Sequence, residues 1–261
     1  MNRIYLDHNA TTPLRDEARA AMLTAMELAG NPSSVHGEGR AARALVERAR
    51  AQVAAAIGCN TNEVVFTSGA TEAARVLAIG AEVDPTAHDC LWAHRSEGAA
   101  IRAAGYANNE TGIVTDSTGA QLLDIVQAIG KIPFSFAWSG ADLAIVSAHK
   151  FGGPKGVGAL ILRDGVEIPT LASGGGQEQG RRAGTENIVG IAGMGAAAKA
   201  AVADLADGQW VRVEALRNAL ETALKTAAPE IVIFGHDEPR LPNTSNFAIP
   251  GWKGETQVMQ M

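Results

Sequence analysis

The stretch that decides the fold is ADLAIVSAHKFGGPKGVG, residues 141–158. Its apolar first part predicts a buried strand, and the glycines after Lys150 predict a turn. Ser147, His149 and Lys150 therefore follow one strand end, where they can meet at one point. A lysine held there can form a Schiff base with an aldehyde cofactor such as pyridoxal phosphate, and Ser147 and His149 could reach its phosphate. The ordinary alternatives are a solvated lysine, a strand-end cap and a packed histidine.

The rest of the chain alternates predicted strands with predicted helices. Strands are predicted at 4–7, 63–67, 91–93, 121–125, 142–146, 156–162, 231–234 and 244–249. Helices are predicted at 16–28, 39–57, 188–205, from Trp210 to Pro229, and from 254 to the end. This alternation predicts an α/β fold with a mainly parallel sheet flanked by helices. We expect a large domain over 14–205 and a small α+β domain formed by 1–13 and 206–261.

The composition of the chain argues against several classes of function. The chain has 261 residues, 46% hydrophobic and 19% charged, which is typical of a soluble globular protein. A net charge of -6 without a basic block argues against nucleic-acid binding. We see no secretory leader and no apolar run that approaches a membrane span. The two cysteines, Cys59 and Cys90, predict no disulfide framework and fit a reducing cytoplasm, and no Cys/His spacing predicts a metal site.

Other polar residues could belong to the same site. Ala70 and Thr71 follow Ser68-Gly69 in a strand–turn–helix pattern, where free backbone N–H groups can bind an anion. Asp124 ends an apolar strand; it either faces water or pairs with a buried cation such as a protonated pyridine nitrogen, with Gln127 beside the ring. Asn108 begins a segment with the pattern of a plain turn. The loop ending at Thr185 is either a solvated basic loop or an anion contact, within the chain or across a subunit boundary.

These motifs occur together in one order that resembles the cysteine desulfurases, pyridoxal-phosphate enzymes of the class V aminotransferase superfamily. The resemblance rests on the segments 5–13, 30–36, 66–72, 108–112, 124–127, 147–158, 174–185 and 241–244, and so spans nearly the whole chain. It implies a homodimer of pyridoxal-phosphate fold type I. It also implies that L-cysteine is converted to L-alanine through an aldimine on Lys150, with the sulfur passing to an acceptor protein, as in iron–sulfur cluster assembly.

The resemblance also implies a role for each matching residue. Lys150 would be the Schiff-base lysine, Asp124 the partner of the pyridinium nitrogen and Gln127 the contact to the ring hydroxyl. The phosphate would be bound at Ala70, Thr71, Ser147 and His149, and Thr185 would reach the phosphate of the neighbouring subunit. Asn108 would lie near the substrate carboxylate.

The chain departs from the family pattern in three places. The family's nucleophilic cysteine and its carboxylate-binding arginine lie beyond Met261, and neither Cys59 nor Cys90 matches the nucleophile. The ring-stacking histidine falls near Gly98, with His94 as a poorly registered substitute. The segments between Gly98 and Asn108 and between Gly112 and Asp124 are too short. We therefore expect a truncated and internally shortened relative, with a small domain lacking its C-terminal part. A class V lyase or transferase such as a selenocysteine lyase, or an inactive fragment, is the alternative.

Overall fold

The computed structural model describes residues 4–260. Within them, the α-helices are α1 Asp16–Met26, α2 Gly37–Ile57, α3 Ala70–Ala73, α4 Asp89–Trp92, α5 Phe136–Ser139, α6 Ile188–Ala206, α7 Gln209–Ala227 and α8 Gly254–Gln260. The strands are β1 Val64–Thr67, β2 Glu82–Val83, β3 Arg102–Gly105, β4 Leu122–Asp124, β5 Leu143–Ser147, β6 Gly158–Leu162, β7 Val232–Ile233 and β8 Phe247–Ala248.

A six-stranded sheet forms the centre of the molecule, in the order β1-β6-β5-β4-β3-β2. Strands β2 to β5 run parallel to one another, whereas β6 is antiparallel to both of its neighbours, β5 and β1. The expectation of an α/β fold with a mainly parallel sheet is confirmed. Because parallel strands end at the same edge, the register brings Asp124 of β4 and Ser147 of β5 to one side of the sheet. The same edge receives Gly158, which pairs with both Ser147 and Thr67.

Apolar side chains cover both faces of this sheet. One core cluster joins α1, α2 and α6 to the sheet, and Ala18, Val46 and Met194 are among its buried members. A second cluster, with Leu77 and Leu91, covers the other face. Helices on both faces bury strands completely, which explains why β5 and β6 contain no exposed residue.

Helix α6 corrects one expectation. Its length and apolarity are sufficient for a membrane span, although half of the relevant window is buried inside the protein. Small residues such as Gly193 and Gly195 let it approach its neighbours closely: a Cβ on Gly195 would lie 2.7 Å from Ala49 Cα in α2. Its apolar composition is therefore accounted for by packing against α1 and α2 in the core.

Two strand predictions are wrong. Residues 4–7 form no strand, and the side chains of Ile4 and Leu6 are 77% and 81% exposed. Residues 91–93 belong to the short helix α4 and the residue that follows it, because the imidazole Nδ1 of His88 caps this helix by accepting a hydrogen bond from the N–H of Cys90 at 3.1 Å. Strands β2 and β3 were not predicted. They are short, and β3 carries mainly alanine and glycine, so neither has the pattern of a typical strand.

A smaller layer follows α6. It contains α7 and the antiparallel pair β7–β8, as the predicted strands 231–234 and 244–249 implied. An ion pair fixes this layer: Arg240 donates to both carboxylate oxygens of Glu221 at 2.8 and 3.0 Å. Burial would raise the pKa of Glu221, but these hydrogen bonds lower it to about 2. The domain boundaries at 13/14 and 205/206 stay a prediction.

Candidate active site

A cavity of about 590 Å³ opens at the edge of the sheet where β4 and β5 end. Its lining brings together eight of the nine predicted site residues: Ala70, Thr71, Asn108, Asp124, Gln127, Ser147, His149 and Lys150. They come from distant parts of the sequence, and the parallel arrangement of β4 and β5 is what collects them. Thr185 does not line this cavity; it lies exposed on the loop before α6.

Lys150 follows β5 in a single turn of 3-10 helix. Its amine donates to the backbone carbonyls of Asn9 and Ala10, at 2.5 and 3.1 Å, so the N-terminal loop holds it in place. Partial burial lowers the pKa of Lys150, and the carboxylates of Asp124, Asp7 and Glu110 oppose that shift. A lowered pKa increases the fraction of neutral amine, which is the nucleophilic form of lysine.

Asp124 is the buried carboxylate of the cavity. Its Oδ1 accepts a hydrogen bond from the N–H of Val126 at 2.9 Å. Burial raises the pKa of Asp124, and the Val126 N–H, His88 and Lys150 offset the shift only in part. A carboxylate in such surroundings is stabilised as an anion by a further cation beside it.

The turn between β1 and α3 lies against β5 and β6 at the end of the cavity that Ser147 lines. Gly158 permits this contact, because a Cβ at this position would lie 2.5 Å from the Val146 carbonyl oxygen and 2.7 Å from Gly69 Cα. The turn can therefore present its backbone N–H groups beside Ser147, as an anion site requires. His149 completes this end, and its Nδ1 is 3.1 Å from Thr11 Oγ1. Burial, followed by the charges of Lys150 and Lys155, lowers the pKa of His149.

Gln127 is held at both ends of its amide. Its Nε2 donates to the Asn9 carbonyl at 2.9 Å, and its Oε1 accepts a hydrogen bond from Lys131 Nζ at 2.6 Å. Lys131 is only 3% exposed, and its role was not predicted from the sequence. Burial and then the charge of Lys150 lower the pKa of Lys131 to about 7.

His88 is a second histidine of the cavity, besides His149. The two positions considered for the ring-stacking histidine, His94 and Gly98, do not line the cavity, whereas His88 does. The sequence did contain a signal, since His88 precedes Cys90 and an apolar pair, but the assignment of 91–93 to a strand obscured it. Cys90 also lines the cavity. Burial, and secondarily the charge of Asp124, raises the pKa of the Cys90 thiol to about 12, so it is not a thiolate at neutral pH.

Asn108 lines the cavity but serves first as a structural residue. Its Oδ1 accepts hydrogen bonds from the N–H groups of Glu110 and Thr111 at 2.9 and 2.8 Å. Its Nδ2 donates to the Thr86 carbonyl at 2.9 Å, which ties this turn to the loop before His88. The plain turn expected from the residues alone is therefore present, and it sits at the cavity wall.

The loop before α6 is attached to the cavity through one ion pair. Arg182 donates to Glu72 Oε1 at 2.9 Å, and Glu72 in turn accepts from the N–H of Ser68 at 2.6 Å. Glu178, deeper in the loop, accepts from both terminal nitrogens of Arg50 at 2.8 Å. Glu178 also has a positive φ of 48°, a conformation that the buried ion pair holds in place. This framework leaves Thr185 facing solvent.

Comparison with known proteins shows the family of the chain. The family model "Aminotransferase class-V" matches residues 4–116 and 93–260, and the chain belongs to this family, with the pyridoxal-phosphate fold type I. A cysteine desulfurase of Cereibacter sphaeroides is 38% identical over 312 residues, covering 99% of this chain and 80% of the relative.

Solved structures are similar to this chain over most of its length. A NifS-like protein superposes with a TM-score of 0.88 at 32% identity, covering 98% of this chain and 84% of that one. A structure described as SspA in complex with cysteine has a TM-score of 0.69 at 25% identity, covering 76% of this chain and 72% of that one.

The comparisons also agree with an internally shortened chain. The two matched segments of the family model overlap at residues 93–116 of this chain. The alignment with the Cereibacter sphaeroides relative is 312 positions long, whereas this chain has 261 residues, so at least 51 of the relative's positions have no counterpart here. Despite this, β3 pairs with β2 and β4, and the sheet is continuous.

Proposed function

We propose that this chain is a cysteine desulfurase-type enzyme that converts L-cysteine to L-alanine with pyridoxal phosphate and passes the sulfur to an acceptor. One observation carries the proposal. Lys150, Asp124 and the turn at Thr71 line a single cavity in a chain whose relatives are named cysteine desulfurases. No feature of the cavity favours the alternative of a selenocysteine lyase.

The residues of the cavity fit pyridoxal phosphate. Burial raises the pKa of the Asp124 carboxyl group. A cation such as a protonated pyridine nitrogen beside it would stabilise its charged form. The turn at Ala70 and Thr71, with Ser147 and His149, would hold the phosphate. Gln127 lies within the lining on the side of Lys150, where it could contact the ring hydroxyl, and His88 could pack on the ring.

When bound, pyridoxal phosphate supplies an aldehyde that takes up amines and a ring that accepts the electron pair released at the substrate Cα. Lys150 would hold the cofactor and then, once displaced by substrate, move a proton at Cα with its neutral amine. Asp124 would keep the proton on the ring nitrogen. Asn108 would orient the substrate carboxylate, and the closed N-terminal loop at Asn9 and Ala10 would exclude water from the amine of Lys150.

The sulfur step requires a thiol. Transfer to an acceptor thiol breaks the Cβ–S bond of L-cysteine, forms an S–S bond in a persulfide and leaves L-alanine, so atoms and electrons balance. Cys90 is a poor nucleophile for this step because burial raises its pKa to about 12. Cys59 has a pKa raised to about 12 by burial and by Glu63, and it does not line the cavity. Neither Cys59 nor Cys90 is therefore suited to accept the sulfur.

The first experiment compares the wild type with Lys150→Ala. Adding pyridoxal phosphate to the wild type should produce a visible absorption band that sodium borohydride bleaches, because reduction fixes the cofactor on a lysine. With L-cysteine and dithiothreitol as acceptor thiol, L-alanine and sulfide should then form in equal amounts. Both the band and the L-alanine should be lost in Lys150→Ala and retained in the matched surface variant Lys199→Ala.

The outcomes of this experiment distinguish a cysteine desulfurase from an inactive fragment and from a selenocysteine lyase. A Lys150-dependent band without L-alanine would contradict the desulfurase proposal and leave a cofactor-binding protein. Absence of the band would contradict both parts and identify the chain as an inactive fragment. Faster turnover of L-selenocysteine than of L-cysteine would instead favour a selenocysteine lyase.

Assembly and location are part of the proposal. We propose a homodimer in which the loop carrying Thr185 reaches the cofactor phosphate of the neighbouring subunit; its exposure and its attachment through Arg182 support this. Sedimentation equilibrium of wild type and Thr185→Ala, with and without cofactor, tests the proposed homodimer.

The two free cysteines support a cytoplasmic location, which cell fractionation would check.

A further inference from the structure

A second cavity, of about 350 Å³, lies behind Lys150 and is distinct from the cofactor cavity. It is enclosed by the N-terminal segment, the Gly130-Lys131 turn, α6 and α7. Lys150 lines both this cavity and the cofactor cavity. Nothing in the proposed reaction uses this space. Most of the surface of this cavity is apolar, with Leu6, Ile129 and Phe151 among the lining residues, and His8, Thr12, Arg15, Lys131, Lys150 and Asn243 are its polar residues.

Two residues that line this cavity each have a buried polar atom without a partner. Neither the indole Nε1–H of Trp210, a donor, nor the amide Oδ1 of Asn243, an acceptor, has a hydrogen bond with any residue that the structure describes. A buried polar group without a partner costs about 1–3 kcal/mol. A donor and an acceptor left in this way in one cavity indicate a polar occupant.

Lys131 contributes a positive charge to the same cavity. Its ammonium has three N–H donors, and the described residues use one of them, in the 2.6 Å hydrogen bond to Gln127 Oε1. Among residues 4–260, no aspartate or glutamate lines the cavity. The nearby guanidinium of Arg15 is already occupied, by Asp204 at 2.6 Å and by the Phe151 carbonyl at 2.9 Å. In its protonated form, Lys131 is therefore a buried cation without a counterion among the lining residues.

We propose that this second cavity binds a small monocarboxylate. Its carboxylate accepts hydrogen bonds from Lys131 Nζ and from the indole N–H of Trp210, and its short apolar body lies against Leu6, Ile129 and Phe151. The carboxylate can belong to a simple acid such as propionate or to an amino acid such as L-alanine. In the second case the ammonium group donates to Asn243 Oδ1, which satisfies the remaining buried atom.

The electrostatics of the cavity agree with an anionic occupant. Burial and the neighbouring charge of Lys150 both disfavour the protonated form of Lys131 and lower its pKa to about 7. A carboxylate beside the two amines offsets their repulsion and favours the charged form of Lys131. Occupancy is also coupled to the cofactor cavity, because Lys131 holds Gln127 and Gln127 shares the Asn9 carbonyl with Lys150.

The four tryptophans of the chain provide a direct test that needs no cofactor. Each indole N–H gives one peak in a ¹H–¹⁵N spectrum, and Trp210→Phe identifies the peak of Trp210. Propionate and L-alanine are titrated separately at constant ionic strength, with sodium chloride as the salt control. The Trp210 peak should shift downfield and saturate, whereas the peak of Trp138, which is 90% exposed, should not move.

Variants connect the shift to this cavity. Lys131→Met should raise the half-saturation concentration about tenfold or more, since it removes a charge-assisted hydrogen bond. The exposed Lys199→Met should leave it unchanged. Val213→Phe places a larger side chain in the cavity wall and should abolish the shift while the peaks of the other indoles keep their positions, which shows that the fold is intact.

Each outcome of the titrations either supports or contradicts the carboxylate site. A Lys131-dependent shift with propionate alone supports the simple acid, and one with L-alanine alone or more tightly supports the amino acid. No saturable shift with either probe, or a shift that Lys131→Met leaves unchanged, contradicts the site and means that the cavity holds only water. The result is independent of the desulfurase proposal, which is tested by the Lys150-dependent absorption band.

Discussion

At the residue scale, Lys131 is a buried lysine with a strongly lowered pKa. It is 3% exposed, it faces Lys150, and its pKa falls from 10.5 to about 7. The folded chain therefore releases this proton near pH 7, whereas the unfolded chain holds it up to about pH 10.5. Between those values the unfolded state binds more protons, so stability rises with pH; below them the full cost of burying the charge is present.

Comparison with Lys131→Met isolates this effect. In the cofactor-free protein, the free energy of unfolding of the wild type relative to the variant should increase by about 2 kcal/mol between about pH 7 and 9. Urea unfolding at several pH values, at constant ionic strength, measures it. Lys199→Met, at an exposed position, should show a difference that does not change with pH. A constant difference for Lys131→Met as well would show that the lysine is not buried as a charge.

Sequence reasoning found the residues whose position follows from strand ends. Lys150, Ser147 and Asp124 each follow an apolar run, and parallel strands bring such positions together. It did not find His88, which lies on a loop and caps a short helix, or Lys131, whose burial depends on α6 and α7. For these residues the surroundings come from segments that are distant in sequence, and no local pattern encodes them.

At the element scale, the contact between β6 and the turn at Gly69 positions the predicted phosphate site. Gly158→Ala should push these segments apart, since the new Cβ would meet backbone atoms of Val146 and Gly69 at 2.5 and 2.7 Å. We expect a loss of stability of about 1–3 kcal/mol and a cofactor half-saturation concentration raised about tenfold. Thermal unfolding and titration of the visible band measure the two effects. Gly37→Ala, where a Cβ meets nothing within 4 Å, is the control and should change neither.

The elements themselves were predicted in proportion to their length and periodicity. The long helices α2, α6 and α7 were found to within two residues at their starts, because their apolar spacing repeats over many residues. The short strand β3 was missed and α4 was taken for a strand, because three or four residues carry too little pattern to separate the two. The segment that contains α4 and β3 is thus where local prediction was weakest, yet β3 joins β2 to β4 in the sheet.

At the scale of the whole molecule, the side chain of Asn9 joins three segments that are far apart in sequence. Its Nδ2 donates to the Asn109 carbonyl at 3.0 Å and to Thr244 Oγ1 at 2.9 Å. Its Oδ1 accepts from Asn243 Nδ2 at 2.8 Å. The backbone carbonyl of the same residue accepts from Lys150 and Gln127. One residue thus links the smaller layer to the cavity, which no local reading of the sequence indicates.

Asn9→Ala should therefore loosen the connection between the two layers while leaving the sheet intact. Removal of its three side-chain hydrogen bonds should cost about 2–4 kcal/mol and speed amide hydrogen exchange around residues 241–249, with β5 and β6 unchanged. Asn246→Ala is the matched control, because it removes one exposed hydrogen bond, to the Glu110 carbonyl at 3.2 Å, between the same two regions. If both variants exchanged alike, the layers would be held by apolar packing, and Asn9 would serve the cavity only through its carbonyl.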